Sequence, residues 1–284
     1  MRVAVNMPQM AANGLSENWL FKHCGDQHWQ ALCGSLAIRS SELRDDEGAR
    51  LYPTFVAIFS RYSEPLAAVR ENDVFETSVE LSRFGSTFFH SHVGLFNDAA
   101  RFRLEMLTAF VARDDEGRNE LHRSTPRSDF TCRANAMPEA PAILTLSQRM
   151  RHGEVREYDF DGRMLDLARG SLELGCDYEP SPYADYNGAN LLYFAAYPTI
   201  CDTLERQLVR QHGLTDLGKD WALATSTVAR DVFYYGNLDL GTSLRATLNR
   251  LDHADDTIIL HMTMRRLSDG RAIADIFTRR QVLD

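Results

Sequence analysis

The sequence predicts an α+β protein that contains two copies of one unit, a long helix followed by an antiparallel meander. An Asn-Gly pair precedes a long apolar helical segment twice, at Asn13-Gly14 and at Asn187-Gly188. Strand-like segments with turn residues between them follow each of these helices. The 284 residues allow two domains that each bury a core. A unit that recurs in this order indicates an internal duplication.

In the first unit, a short strand ends at Pro8 and a helix runs from about Gly14 to Ser35. Asn13 is a preferred residue type for capping the start of that helix. The helix carries apolar residues on several sides, so we expect other structure to surround it. Strands are predicted at 51–59, 74–81, 87–96 and 102–111, with turns at 97–98 and 114–117.

The second unit repeats this order after a polar, proline-containing stretch at 119–141, which we interpret as a linker. A strand at 172–178 precedes a helix from about Gly188 to His212, and Pro198 predicts a kink within that helix. Strands are then predicted at 221–235, 243–251, 257–264 and 272–278. We place the domains at 1–135 and 136–284.

Composition excludes several classes of protein. The formal net charge of −9 argues against a general nucleic-acid binder. A phosphate-bearing ligand would need a local basic patch, for which the candidates are Arg101 with Arg103, or Arg149 and Arg151 with His152. No apolar run suits a membrane span or a signal peptide, so a cytoplasmic protein is expected. The five scattered cysteines predict reduced thiols.

Three segments carry a resemblance to a known family. They are Met7–Leu20, Gly25–Trp29 and Arg230–Leu238. They resemble the polyketide-biosynthesis family that includes the bifunctional acyltransferase/decarboxylase of the leinamycin pathway. The resemblance spans most of the chain and implies a double hot-dog fold, in which each sheet curls around its helix. It also implies a reaction that takes a (methyl)malonyl group from coenzyme A, loses carbon dioxide and delivers the acyl group to an acyl carrier protein.

The resemblance further implies which residues carry this chemistry. The acyl group would form an ester on Tyr52, with Tyr62 as the nearby rival. Asn13 and the free N–H groups at the helix start would hold the thioester oxygen, and His28 is the third catalytic candidate. The resemblance implies no metal and no cofactor on this chain, and the phosphopantetheine arm belongs to the partner carrier protein. A homodimer is a further possible assembly. The candidate substrate-binding residues are Gly14, Leu15, Trp19, His23 and Arg83.

Other interpretations remain open. Tyr52 can be a core aromatic residue and Asn13 a simple helix cap. A dehydratase or thioesterase acting on carrier-bound chains would depend on Asp26, His23 or His28 instead. A carrier-docking module without catalysis is the third possibility. In the second unit, the polar groups at the equivalent helix start form either a second pocket or a decayed one that only shapes the first, and we favour decay. These groups are Tyr183, Tyr186, Asn187 and Asn190.

One histidine pair has the spacing of metal ligands on a strand. His90 and His92 share one face because side chains alternate along a strand. No third ligand is evident from the sequence, so no metal is predicted. His23 and His28 are five residues apart, a spacing poorly suited to one shared metal on a helix.

Overall fold

Strands, nearly all of them paired antiparallel, contain more residues than the helices do. The computed structural model describes residues 1–113, 121–168, 170, 172–217 and 221–283. The turn predicted at 114–117 and the first residues of the predicted linker lie outside the described residues. The helices are α1 (Glu17–Leu36), α2 (Ala142–Arg151), α3 (Ala196–His212) and α4 (Trp221–Ala224), and the strands are β1 (Arg2–Ala4), β2 (Met10–Ala11), β3 (Gly14–Leu15), β4 (Leu51–Tyr62), β5 (Val74–Phe84), β6 (Phe88–Phe96), β7 (Arg101–Arg113), β8 (Leu121–Arg123), β9 (Asn135–Ala136), β10 (Glu157–Phe160), β11 (Arg163–Asp166), β12 (Leu174–Tyr178), β13 (Thr225–Tyr234), β14 (Leu244–Ala254), β15 (Thr257–Arg266) and β16 (Ala272–Val282).

One large sheet joins the two units. Its main order is β1-β5-β6-β7-β4-β13-β16-β15-β14-β12, with β8 on β7 and β9 on β5. Strands β4 and β13 pair antiparallel at the centre, where Ile58 lies opposite Val232. Helix α1 packs against β5, β6 and β7, and α3 packs against β12 and β14. The predicted α+β class with two helix-plus-meander units is therefore confirmed.

Helix α1 begins later than the sequence predicts. Its N-cap is Ser16, whose side-chain oxygen accepts a hydrogen bond from the backbone N–H of Trp19. The prediction that Asn13 caps this helix is wrong, because the Asn13 amide donates to the carbonyl oxygens of residues 222, 223 and 225. Gly14 has a φ of +84°, and a Cβ there would lie 2.2 Å from the Leu66 carbonyl oxygen. Only glycine fits this close approach without strain.

Helix α3 also begins later than predicted, at Ala196 rather than near Gly188. Asn187 does not cap it; its side-chain oxygen accepts from the N–H groups of Ala189 and Leu191 and so closes a local turn. Pro198 consequently lies in the first turn, where its missing N–H breaks no helical hydrogen bond. The reason for predicting a kink is thereby removed. None of the helices in the described residues is long and apolar enough to cross a membrane.

A second layer on the outer face of the sheet was not predicted. Helix α2 and the β10–β11 hairpin bury apolar residues against Ala57, Leu107, Phe233 and Phe277. Part of the predicted linker is strand, since β8 and β9 add to the first unit's sheet. The division at residue 135 stays a prediction. Helix α2 follows that boundary in sequence yet packs against β4 of the first unit.

Candidate active site

A cavity of about 970 Å³ lies where the first unit's sheet meets the loop that precedes α3. Strand β4 contributes Tyr52 and Phe55, β13 contributes Tyr234, and the loop contributes Asn187 and Phe194. The remaining described lining residues are Trp29, Arg44, Arg50, Pro53, Thr54, Val56, Ala109, Val111, Leu121, Arg123, Arg151, Gly188, Ala189, Leu191, Leu192, Tyr193, Tyr197, Tyr235, Gly236, Asn237, Arg266, Arg271 and Ala272. Both copies of the duplicated unit therefore build one cavity.

Tyr52 is half-buried in the wall of this cavity, with two guanidinium groups near its ring. The Arg50 and Arg113 guanidinium carbons lie 5.7 Å and 5.9 Å from the centre of its ring. Arg113 donates a hydrogen bond to the carbonyl oxygen of Ala189, so it also links β7 to the loop of the second unit. The tyrosine hydroxyl thus lies in a cavity with positive charge close by.

Aromatic rings form the apolar part of the wall. The rings of Phe55 and Phe194 are 4.2 Å apart between centres, and Tyr193 packs on Phe194 at 4.7 Å. Phe194 also packs against α1 at Gly25, where a Cβ would lie 2.3 Å from the phenylalanine ring. The buried Nε1 of Trp29 has no hydrogen-bond partner in the described part of the chain. This wall can therefore hold an apolar group beside a free donor.

The cavity is strongly positive in a chain whose net charge is −9. Six arginines line it, and its described lining includes no aspartate, glutamate, histidine or cysteine. Asp269 partly balances Arg266 and Arg271, at 3.5 Å and 3.8 Å. The predicted basic patch of Arg149, Arg151 and His152 lies next to this cavity, as described below. The alternative patch of Arg101 and Arg103 does not line the cavity.

A side chamber of about 410 Å³ adjoins the cavity and shares Arg123 and Arg151 with it. Its other basic residues are Arg149 and His152, and Glu154 is the acidic residue in its described lining. Burial and the nearby Arg123 guanidinium both lower the pKa of Arg151. Two arginines that repel each other in this way favour the binding of an anion between them.

The start of α1 lies away from this cavity. Gly14 packs on the carbonyl of Leu66, close to the end of β4 that carries Tyr62. Tyr52 is at the opposite end of the same strand, a separation of about 30 Å at 3.3 Å per residue. Asn13, Gly14 and Leu15 therefore cannot hold a thioester oxygen at Tyr52, and that part of the predicted mechanism is wrong.

His28 is enclosed beneath the sheet. Its Nδ1 lies 2.6 Å from the Ser91 hydroxyl and its Nε2 lies 2.9 Å from the Thr108 hydroxyl. Burial lowers the pKa of His28 to about 3, and the neighbouring His90 adds to this effect. Both ring nitrogens are occupied and the residue does not line the cavity. Its catalytic role stays a prediction that this geometry does not support.

The other predicted residues lie elsewhere on the first unit. Trp19 stacks on His23 at 5.1 Å between ring centres, and His23 Nε2 is 3.3 Å from the Thr77 hydroxyl. Arg83 donates to the Gly85 carbonyl, and the exposed Asp26 accepts from Gln30. None of them lines the cavity. Of the predicted catalytic and substrate-binding residues, Tyr52 alone does so.

Tyr62 belongs to a buried charge network rather than to the cavity. Its hydroxyl donates to Glu17, and burial raises its pKa. Arg230 binds Glu17 at 2.9 Å and Asp202 at 2.6 Å, and so joins α1 to α3. Arg280 extends the network from β16 to Glu205 and Asp202. The sequence signal that could have indicated these contacts is the presence of charged residues within apolar segments.

No protein-family model and no curated protein matches the sequence. Solved structures do match over its whole length. A protein assigned as an oleoyl thioesterase, from Lactobacillus plantarum, has a TM-score of 0.68 and 9% identity, and the match covers 100% of this chain and 94% of that one. The 12:0-ACP thioesterase from Umbellularia californica has a TM-score of 0.59 and 10% identity, over 100% and 93%.

An acyl-ACP thioesterase from Bacteroides thetaiotaomicron has a TM-score of 0.57 and 10% identity, over 99% of this chain and 96% of that one. Identities this low show the fold alone. These solved structures bear out the fold that the sequence resemblance implied, while the acyltransferase/decarboxylase reaction stays a prediction. The chain has the double hot-dog fold.

Proposed function

We propose that the chain is an enzyme that acts on an acyl thioester carried by phosphopantetheine, in coenzyme A or on an acyl carrier protein. In this proposal Tyr52 accepts the acyl group inside the cavity. The observation that carries the proposal is the composition of the cavity wall, which combines a tyrosine hydroxyl, an aromatic surface and six arginines. Each of these features matches one part of such a substrate.

The arginines suit the phosphate groups of the carrier arm. A guanidinium group binds phosphate through paired, charge-assisted hydrogen bonds. Arg123 and Arg151 face both the cavity and the side chamber, and neither makes an ion pair with an acid in the described part of the chain. An anionic arm that enters past them would reach Tyr52 with its thioester end, while the acyl group packs on Phe55 and Phe194.

The acyl-transfer step involves few groups. The Tyr52 oxygen attacks the thioester carbonyl carbon; the new C–O ester bond forms, the C–S bond breaks, and the phenolic proton goes to the leaving thiolate. Arg50 and Arg113 provide positive charge near the negative oxygen that develops on the carbonyl. A malonyl-type acyl group would then lose carbon dioxide to give an enolate, which takes a proton from water. The thiol sulfur of a carrier protein finally attacks the ester carbonyl; the new C–S bond forms, the C–O bond to Tyr52 breaks, and the thiol proton goes to the tyrosine oxygen.

Hydrolysis is the second candidate, and the solved structures favour it. Proteins described as thioesterases match the whole chain with TM-scores of 0.57 to 0.68. In that case water rather than a carrier thiol takes the acyl group, and a free acid leaves. Thioester hydrolysis usually relies on a carboxylate or histidine as base, and the described cavity lining contains neither. Because the described lining lacks such a base, we propose acyl transfer ahead of hydrolysis.

Intact-protein mass spectrometry tests the proposal. The protein is mixed with acetyl-, malonyl- and methylmalonyl-coenzyme A and then with a carrier protein that bears its phosphopantetheine arm. Transfer gives a carrier mass gain, and a gain without the carboxyl group means decarboxylation. Free acid with an unmodified carrier means hydrolysis. If no thioester is consumed under any condition, both enzyme proposals are contradicted. Carrier docking without catalysis would then be the remaining interpretation.

The tyrosine assignment is tested with a matched pair of variants. Tyr52→Phe removes only the hydroxyl and is expected to abolish acyl-enzyme formation, while Tyr193→Phe removes a hydroxyl from the same cavity and is expected to keep it. Circular dichroism checks that both variants fold. Acyl-enzyme that persists in Tyr52→Phe would show that another residue is the nucleophile.

A further inference from the structure

Three potential metal ligands meet on the outer face of the first unit's sheet, outside the cavity. His90 and His92 lie on β6, and Glu105 lies on β7 directly opposite His92. Ser91, between the two histidines, turns inward and contacts His28 of α1. Because side chains alternate along a strand, both histidines face outward, away from α1. The sheet register therefore supplies the third ligand that the sequence did not show.

The distances between these ligand atoms suit one ion. The coordinating atoms of His90, His92 and Glu105 all lie within 4.8 Å of one another. His90 Nε2 is 2.8 Å from a Glu105 oxygen, and the two imidazole rings are 4.8 Å apart between centres. His90 is almost buried at 8% exposure and Glu105 is 31% exposed. Burial thus holds the His90 side of the site in place, while His92 is exposed and leaves the other side open to solvent.

Glu105 offers its carboxylate to the site from the neighbouring strand. Its oxygen lies 2.8 Å from His90 Nε2, so another of the three ligands already holds it in place. Arg61 is held mainly by Asp231 and Asp161. The carboxylate therefore remains available as a ligand.

The second unit provides an internal comparison. His261 lies opposite Phe277 and Thr263 lies opposite Asp275, in the same register as the pairs His90–Leu107 and His92–Glu105. His261 contacts Asp275 at 3.0 Å, just as His90 contacts Glu105. The position of His92 is taken by Thr263, whose hydroxyl donates to Asp275. The histidine–carboxylate pair thus occurs in both units, whereas the third ligand occurs in the first alone.

We propose that His90, His92 and Glu105 bind one divalent transition-metal ion, with Zn²⁺ as the probe. Two imidazole nitrogens and one carboxylate oxygen form a ligand set that Zn²⁺ accepts, with water at the open position. Binding requires neutral imidazoles and exchanges the His90–Glu105 hydrogen bond for two metal–ligand bonds. The ion lies on the face of the sheet opposite α1, so the proposal is independent of the reaction at Tyr52.

The test measures bound metal on untagged protein. The protein is treated with a chelator, dialysed against micromolar Zn²⁺ and analysed by mass spectrometry of the metal, and Co²⁺ substitution gives a visible spectrum. One ion per chain is expected. His92→Thr copies the second unit and is expected to lose the ion, and Glu105→Gln is expected to lose it too. The matched control His261→Gln is expected to keep it.

Circular dichroism confirms that each variant folds, and His92 is exposed enough to be replaced safely. Unmodified protein that binds no Zn²⁺ at micromolar concentration would overturn the proposal. So would equal metal content in His92→Thr and the unmodified protein, because the ion would then bind elsewhere. Neither result depends on whether the protein acts on thioesters.

Discussion

His28 makes the stability of the protein depend on pH in a way that can be measured. The imidazole is fully buried and contacts two hydroxyls, those of Ser91 and Thr108. Burial lowers its pKa from 6.5 to about 3. The unfolded chain therefore takes up a proton on this residue below pH 6.5, while the folded protein does so only near pH 3.

The sign and size of the effect follow from this difference in pKa. The stability that His28 contributes is complete above pH 6.5 and declines as the pH falls towards 3. At pH 5 the loss amounts to about 2 kcal/mol relative to pH 7, since one pKa unit corresponds to roughly 1.4 kcal/mol. The residue is fully buried, so solvent screening reduces this figure little.

Urea unfolding at pH 7 and pH 5 measures the loss. In His28→Gln the titrating group is gone, so the loss between the two pH values is expected to shrink by about 2 kcal/mol. The comparison is made within each variant, and the cost of the substitution itself therefore cancels. His253→Gln, at an exposed site, is the control and is expected to behave like the unmodified protein. An identical pH dependence in His28→Gln would refute the reasoning.

Two further predictions concern charge. Arg151→Gln is expected to raise KM for a coenzyme A thioester about tenfold while kcat changes little, because it removes one proposed phosphate contact but no reacting group. Steady-state kinetics measures both constants, and an unchanged KM would contradict the binding of a phosphate in the side chamber. Arg230→Met leaves the buried Glu17 without its cation and is expected to destabilise the fold by about 3–5 kcal/mol at pH 7. Urea unfolding measures this, and a loss below about 1 kcal/mol would mean that the network is dispensable.

Periodic hydrophobicity was enough to predict the helix and the strands of each unit, but not where the helices begin. An Asn-Gly pair is compatible with an N-cap and with a tight turn. Asn187 forms a turn with its own neighbours, and Asn13 bonds to the other unit. The choice depends on contacts distant in sequence, and local patterns contain no information about these. The α2–hairpin layer was missed because residues 142–166 have no counterpart in the first unit's pattern.

Among the residues that line the cavity, Tyr52 was named from the family resemblance and Arg151 as part of a basic patch, while most of the wall was missed. Arg149, Arg151 and His152 stand together in sequence, so their shared charge was visible. Phe194 reaches the cavity only because Gly25 lets it approach α1. Glu105 meets His92 only through the pairing of β6 with β7. Contacts that depend on tertiary packing or strand register cannot be read from spacing along the chain.

The two copies of the Asn-Gly pair have different surroundings, although the fold is duplicated. At the first Asn-Gly pair, Asn13 bonds to three carbonyls around α4 and Gly14 packs on Leu66, so this corner is filled by protein. At the second pair, Asn187 satisfies its own turn, and the residues after it line open space opposite Tyr52. The expectation of a decayed second pocket that only shapes the first stays a prediction; in the structure the second copy lines part of the wall and the first copy carries Tyr52. The proposed site therefore needs both halves of the chain, because Tyr52 and Phe55 come from the first half and Tyr193 and Phe194 from the second.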